Sequence, residues 1–464
     1  MRPLLYRTLI LLALLGLIAT PAFLTARADI RRAAVNFDVE NYSLAAAQYE
    51  HAARLMFWRA DLWESAGISA FAGGDMPEAV RLLTRAPRLS AQGWAQLGQA
   101  HYQLGQVEEA ARALQSGLDA YGPTAQLYYG QFLVYNAQGN LNEESLALEN
   151  YLTLTPADAG AHYRFGLLLS LSAPDRAVFE LLSAAQLDAN YDPAAQTLRT
   201  ALNLAFVEAD AANKLIITGR GLGLVQEWPL AREAFLRATE ADSQNAEAWA
   251  WLGEANQHLG QDGRAELERA EALAPFNSNV RALFGLYWKR QNEAAKALAE
   301  FQWAALIQPD NPGLQVALGD AYVFAGDLPP ALAAYQRATQ LAPQDATYWR
   351  VLATFCAQYG YQPFDVGIPA AQQVLALEPG TAASHDLLGW VYLAADLPVA
   401  AEVSLLAALR ADPDFAAAHL HLGMVYLKRG DFINARIHLE RAFALAAGTP
   451  IGDAAARLLA EYFP

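Results

Sequence analysis

The sequence predicts an all-α chain built as a solenoid of about eleven helix-turn-helix units. The 464 residues are 54% hydrophobic and 17% charged, enough apolar side chain for a large core and the wrong composition for a disordered chain. A glycine recurs at Gly67, Gly98, Gly130, Gly166, Gly219, Gly253, Gly285, Gly319, Gly389 and Gly423, and Ala353 fills the one gap. The steps are 31, 32, 36, 53, 34, 32, 34, 34, 36 and 34, a period that marks an internal repeat. Around each such position lie an amphipathic helix, a Gly-polar turn and a second helix with apolar residues three and four apart, the pattern of a helical hairpin.

The first element is a membrane-targeting helix. Arg2 and Arg7 precede an uncharged run of 19 residues, Thr8 to Ala26. At about 1.5 Å per residue the run reaches roughly 28 Å, close to the ~30 Å of a hydrocarbon core. Residues 1–28 are therefore expected to be a signal peptide or a single-pass membrane anchor. Ala26-Arg27-Ala28 has the small-x-small form of a cleavage site, Thr20-Pro21-Ala22 is a second, and Pro21 weakens a spanning helix. Both readings leave the body membrane-anchored or secreted and extracytoplasmic. Arg27, Arg31 and Arg32 outnumber Arg2 and Arg7 and favour the inverted topology.

Repeats follow from residue 29. A half unit from Asn41 to Met56 carries Ala45, Tyr49 and Ala52, and residues 29–190 form an N-terminal subarray. The 53-residue step after Gly166 leaves 19 residues beyond a 34-residue unit, among them Pro193 and the helical run Ala194 to Ala209. An extra or lengthened helix over 191–210 is expected there, then a C-terminal subarray over 211–447. Asp453 to Tyr462 predicts a capping helix within 448–464, its charged residues toward solvent.

The clearest copies are Leu318-Gly319-x2-Tyr322 with Ala331-x3-Tyr335, Ala338 and Pro343, and Leu388-Gly389-x2-Tyr392 with Ala401-x3-Leu405, Ala408 and Pro413. Leu422-Gly423-x2-Tyr426 with Ala435-x3-Leu439 and Ala442 follows, and Trp94-x2-Leu97-Gly98 and Trp249-x2-Leu252-Gly253 add the opening tryptophan. Helices with axes about 8–10 Å apart need small residues where they cross, which assigns the Gly of the first helix and the Ala of the second to the crossing. Tyr322 and Tyr335 are expected between neighbouring hairpins. With these residues at these offsets the chain resembles the tetratricopeptide repeat family over roughly residues 30–447. The resemblance implies a right-handed α-solenoid whose first helices line a concave groove for extended peptides or partner helices.

The remaining features exclude more than they assign. A net charge of -16 has the wrong sign for phosphate backbones, so no nucleic-acid partner is expected. Gly219-Arg220-Gly221-Leu222-Gly223 has no preceding strand and no following Lys-Ser/Thr, so it is read as helix crossing rather than a phosphate loop. Glu108-Glu109 and Glu143-Glu144 suit a helix N-terminus. His385 and His419 occupy the repeat position of Trp94, Trp249 and Trp349 and are expected in hairpin interiors, and no His-Glu-x-x-His pattern suggests a metal. Cys356, the single cysteine, takes the place of a first-helix Tyr and reads as a buried packing thiol. No cofactor, no metal and no catalytic residues are expected.

Projecting the helical period onto the implied groove, candidate partner-binding residues are Tyr102, Gln131, Tyr135 and Tyr163, then Arg350, Asp386, Trp390, Leu393, Met424 and Leu427. The last four apolar side chains would form a strip on a surface otherwise wet, as contact sites do. The Lys and Asn with which some family members clamp a terminal carboxylate are missing, since the corresponding pairs read Glu64 with Ile68, Ala95 with Gln99, Ala250 with Glu254 and Val316 with Asp320. The leading expectation is a non-enzymatic scaffold that binds protein partners and is tied to the membrane by its N-terminal helix. The alternatives are a structural subunit of a membrane or envelope complex and a glycan-binding array, the latter suggested by Tyr102, Tyr135, Tyr163 and the interleaved Gln residues.

Overall fold

The computed structural model describes the backbone of residues 2–464 and the side-chain surroundings of residues 20–464. Among these residues there are 26 α-helices and no strand. They fall into two compact units, Met1–Ala209 with Ile217–Ala231, and Asp210–Ile216 with Arg232–Pro464.

In the first unit α1 (Arg2–Asp38) packs on α2 (Tyr42–Leu55), α3 (Asp61–Ala72) on α4 (Met76–Leu83), and α5 (Ala91–Gln103) on α6 (Val107–Tyr121). The series continues with α7 (Ala125–Gln138) on α8 (Leu141–Leu154), α9 (Ala159–Leu169) on α10 (Pro174–Leu187), and α11 (Asp192–Val207) after a 3-10 turn. Helices α12 (Ala211–Leu224) and α13 (Trp228–Ala241) are each divided between the units. The second unit pairs α14 (Ala246–His258) with α15 (Arg264–Leu273), α16 (Ser278–Arg290) with α17 (Ala294–Ile307), and α18 (Pro312–Phe324) with α19 (Leu328–Leu341). It goes on with α20 (Ala346–Tyr359) and α21 (Ile368–Leu377), α22 (Ala382–Ala394) and α23 (Pro398–Ala411), α24 (Ala416–Arg429) and α25 (Phe432–Leu445), and ends at α26 (Pro450–Tyr462).

Several hairpins close on their recurrent glycine, though not as the sequence suggested. A Cβ added to Gly98 would stand 2.6 Å from Leu114 Cγ, on Gly319 2.5 Å from Tyr335 Cε1, on Gly389 2.5 Å from Leu405 Cγ, and on Gly423 2.6 Å from Leu439 Cδ2. The large residue is sixteen positions on in every case. The glycine is thus a seat for a bulky side chain of the second helix, with the alanine backbone beside it at Gly389 and Gly423, where the Ala401 and Ala435 carbonyl oxygens lie 3.2 and 3.5 Å from an added Cβ. Tyr335, expected between hairpins, lies across Gly319 in its own hairpin and only its ring edge reaches the next, 5.1 Å from Phe355. Ala331, Ala401 and Ala435 are fully buried on the same helices. The tight turns use Gly105, Gly326 and Gly430, whose φ values of 73°, 82° and 74° are costly for any residue with a Cβ.

The N-terminal expectation needs correction. Among the described residues no helix is long and apolar enough to cross a membrane, so the membrane-anchored or secreted, extracytoplasmic placement of the body loses its basis. The side chains of residues 1–19, which hold most of the apolar run, lie outside the described residues. From residue 20 onward α1 carries Arg27, Asp29, Arg31, Arg32 and Asp38, all beyond the run expected to span. This described part of α1 is the first helix of a hairpin. Ala26 and Ala33 are fully buried, and Ala26 packs with Ala52, Ala53, Met56 and Leu62. Ala26, on the near side of the expected cleavage point, is a core residue, and the half unit at Asn41 is completed by α1.

Candidate functional site

The residues with most chemistry to offer outside the core lie on the first helices of the second unit's later hairpins. Lys289 of α16, Asp320 of α18, Tyr335 of α19, and Arg350, Thr354 and Tyr359 of α20 line a cavity of about 680 Å³. Arg350 and Thr354 also line a second cavity of about 390 Å³, with Asp386, Leu387 and Trp390 of α22, Leu420 and His421 of α24, Phe415 before it, and Ile451 of α26. One surface therefore runs from α16 to α26.

Burial and hydrogen bonding set the character of the two cavities. In the larger one Tyr335 donates its hydroxyl to Asp320 Oδ1 at 2.6 Å, and burial, then this carboxylate, push the phenol far above its ordinary range. In the smaller one Asp386 is buried and accepts from His421 Nδ1 at 2.8 Å. The imidazole lies flat on the Trp390 indole, 5.0 Å between centroids at 13°. Asp386 and His421 stand 35 positions apart, one period plus one residue, so neighbouring first helices bring them together. At the rim Arg350 donates to Glu378 Oε2 at 2.5 Å. The result is an apolar cup with a rigid aromatic wall and a guanidinium at its edge, suited to an apolar or aromatic side chain that carries an anionic group beside it.

The candidates read from the sequence separate here. Arg350, Asp386 and Trp390 meet around the smaller cavity. Leu393 is buried, packed with Leu422 and Val425. Met424 and Leu427 lie against α26 through Ile451, Leu458 and Leu459, so these two of the four side chains of the expected strip are partly covered by the final helix. In the first unit Tyr102 packs against Ala95, Ala110 and Leu114, and Gln131 and Tyr135 are half-buried on α7. Tyr163 is tilted on Tyr191 at 4.9 Å, and burial, then Glu227, raise its hydroxyl above the ordinary value. These four do not share a cavity with Arg350.

Sequence reasoning missed Leu387, His421, Phe415 and Ile451 as site residues. The signal for His421 was the period itself, which places it one step from the equivalent of Asp386. Phe415 and Ile451 come from a loop and from α26 and carry no repeat signal. Among the described residues no group of three or more His, Cys, Asp or Glu could hold a metal ion. Cys356 is buried, and burial pushes its thiol up to about 12.

Comparison with known proteins bears on this arrangement through the repeat. Family profiles described as tetratricopeptide repeat match residues 312–355 and residues 96–159, 225–280 and 396–450. A curated relative, the BBSome complex member BBS4 homolog of Drosophila melanogaster, is 28% identical over 185 residues, 39% of this chain, and the matched part spans 37% of that protein's length. Among solved structures, a chain of the APC/C hetero-tetramer Cut9–Hcn1 is 16% identical with a TM-score of 0.38, covering 93% of this chain and 95% of that one. Yeast Tom70 is 17% identical with a TM-score of 0.38, covering 94% and 95%. The matched segments fall on helical hairpins, and by these matches the chain is a tetratricopeptide repeat protein.

Proposed function

We propose that the chain is a non-enzymatic interaction scaffold, and that its second unit holds a segment of a protein partner at Arg350, Asp386 and Trp390. Tetratricopeptide repeat proteins act in general as protein–protein interaction scaffolds and are typically non-catalytic. The observation that carries the reading is the cup of about 390 Å³ between α20, α22 and α24. Its Trp390 wall is held in place by the Asp386–His421 pair. A buried polar pair that serves only to hold one aromatic ring at a cavity costs desolvation, and a preorganised anchor site is what that cost supplies. The partner segment places an apolar side chain against Trp390, Leu387 and Leu420, and an acidic group at Arg350, with Lys289 farther along the same surface. Met424 and Leu427 pack with Leu420 of this cup.

Selection of a displayed random peptide library on the full chain tests this. Enrichment of peptides pairing an aromatic or large aliphatic residue with an acidic one is expected, and Trp390→Ala should weaken their binding at least about tenfold. Arg350→Ala should weaken only the acidic peptides. Enriched peptides that bind Trp390→Ala as tightly as the parent chain, or no enrichment at all, would remove the site.

A further inference from the structure

The first unit contains a cavity of different chemistry. It measures about 670 Å³ and is lined by Gln92, Gln96 and Gln99 of α5, Gln126 and Tyr129 of α7, and Tyr151 of α8. Asp158 is the one charged side chain among its lining residues, and both its oxygens are committed: Oδ2 accepts the Tyr151 hydroxyl at 2.9 Å and Oδ1 accepts the Ala161 N–H at 3.0 Å, capping α9. The wall therefore offers no cation to hold an anionic ligand. It offers four primary amides, each able to donate and accept at once.

Two further observations point to a ligand. Gln96 lines the cavity, and its Oε1 accepts no hydrogen bond and is closed to solvent, so a hydroxyl reaches this unpaired acceptor when the amide turns toward the cavity, a turn that relieves the cost of leaving it unpaired. Tyr129 is 38% exposed, yet its ring is fixed by Phe132 at 5.6 Å and 61° and by Tyr151 at 5.5 Å and 51°. A fixed, open aromatic face beside planar amides matches a sugar ring, whose C–H face stacks while its neighbouring hydroxyls both donate and accept. A nucleotide or acidic glycan needs cations that the wall lacks. An extended peptide would satisfy the amides, but its side chains need apolar or charged recesses, and the apolar lining amounts to Phe71, Ala95 and Ala125. The volume lies within the roughly 300–1,000 Å³ of ligand cavities.

We propose that this cavity binds a neutral carbohydrate chain, with Tyr129 as the stacking platform and Gln92, Gln96, Gln99 and Gln126 as hydroxyl partners. The site shares no residue with the Arg350–Trp390 surface, so the two readings stand or fall separately. Titration calorimetry of the full chain with cellohexaose, maltohexaose and chitohexaose tests it. At least one is expected to bind with Kd below about 1 mM. Tyr129→Ala and Gln96→Leu should each weaken binding roughly tenfold, Tyr129→Phe should preserve it, and Trp390→Ala should leave it unchanged. The solvent-facing Gln126→Ala keeps the test open if either of the first two variants fails to fold. Absence of binding to all three saccharides overturns the proposal, as does binding that survives both Tyr129→Ala and Gln126→Ala. Binding of an uncharged Ser-Ala peptide in place of the saccharides overturns it as well.

Discussion

Six side chains of four kinds perform one task at the position four residues before the recurrent glycine or Ala353. Trp249 and Trp349 donate their indole N–H to the carbonyls of Ser243 and Pro343 at 3.0 and 2.9 Å. His162 and His419 reach Pro156 and Pro413 through Nε2, both at 3.1 Å, Arg281 reaches Pro275 at 2.9 Å and Gln315 reaches Pro309 at 3.2 Å. The acceptor always lies six residues earlier, in the connection from the preceding hairpin. At these six repeats the position holds a reaching N–H donor, and His, Arg and Gln serve there as Trp does. In His419 the task has a further effect. Its Nε2 carries the proton given to Pro413, which leaves Nδ1 to accept from His438 Nδ1 at 2.9 Å, while the His438 ring stacks on Tyr426. Burial, then the neighbouring His419, lower the His438 pKa below its ordinary value. Between that lowered value and about 6.5 the unfolded chain binds more protons than the folded one, so stability is fully present above about pH 6.5 and is lost as pH falls toward the folded pKa. Thermal melts at pH 7.5 and 5.5 should show a larger loss for the parent chain than for His438→Gln. Equal losses would show that the pair does not couple to folding.

At the scale of the element, the hairpin is a lock whose tolerance is set by one Cβ. Leu405 is fully buried, and a methyl group on Gly389 would stand 2.5 Å from its Cγ, 2.7 Å from Cδ2 and 3.2 Å from the Ala401 carbonyl oxygen. Nothing at that contact is a flexible surface group, so Gly389→Ala should cost about 1–3 kcal/mol, as overpacking does, even though alanine is the better helix former. Urea denaturation measures it, and a neutral or stabilising result would mean that the helices slide past one another. The second helix of the Ala353 hairpin departs from the rule. A short π-helical turn, Pro363–Gly367, brings Gly367 beside Cys356, where an added Cβ would lie 2.8 Å from the cysteine Cβ. The small residue has moved from the first helix to the second. Periodicity shows that this hairpin exists but not which side carries the gap, because exchanging the partners leaves the spacing unchanged.

For the whole molecule, a repeat array is stabilised by nearest neighbours, and its ends must be closed. Helix α26 closes the second unit by covering Leu420, Leu439 and Met424, and Ala455 at this contact is fully buried. Removing residues 450–464 should lower hydrogen-exchange protection in α24 and α25 while leaving α5 and α6 unchanged, and a uniform loss would show cooperativity that local stacking does not provide. The hairpins and the turns were legible because each repeats its own small set of residues at a fixed spacing. The described part of helix α1 was not, since nothing in the repeat pattern shows that Ala26 packs on Ala52 and Ala53 of α2. The candidate site was half legible. Arg350, Asp386 and Trp390 follow from periodic projection, whereas the partial covering of Met424 and Leu427 depends on α26, which lies outside the period.

The Asp386–His421 contact joins two hairpins, whereas the glycine seat and the six-residue hydrogen bond each lie inside one unit. A unit gained or lost elsewhere in the array would carry its own internal bonds and leave that junction untouched. A unit inserted between Gly389 and Gly423 would also leave every hairpin closed, yet it would part Asp386 from His421 and dissolve the cup that Trp390 walls. A change of copy number elsewhere would therefore spare the cup, while the joint between Gly389 and Gly423 is fixed by what it holds.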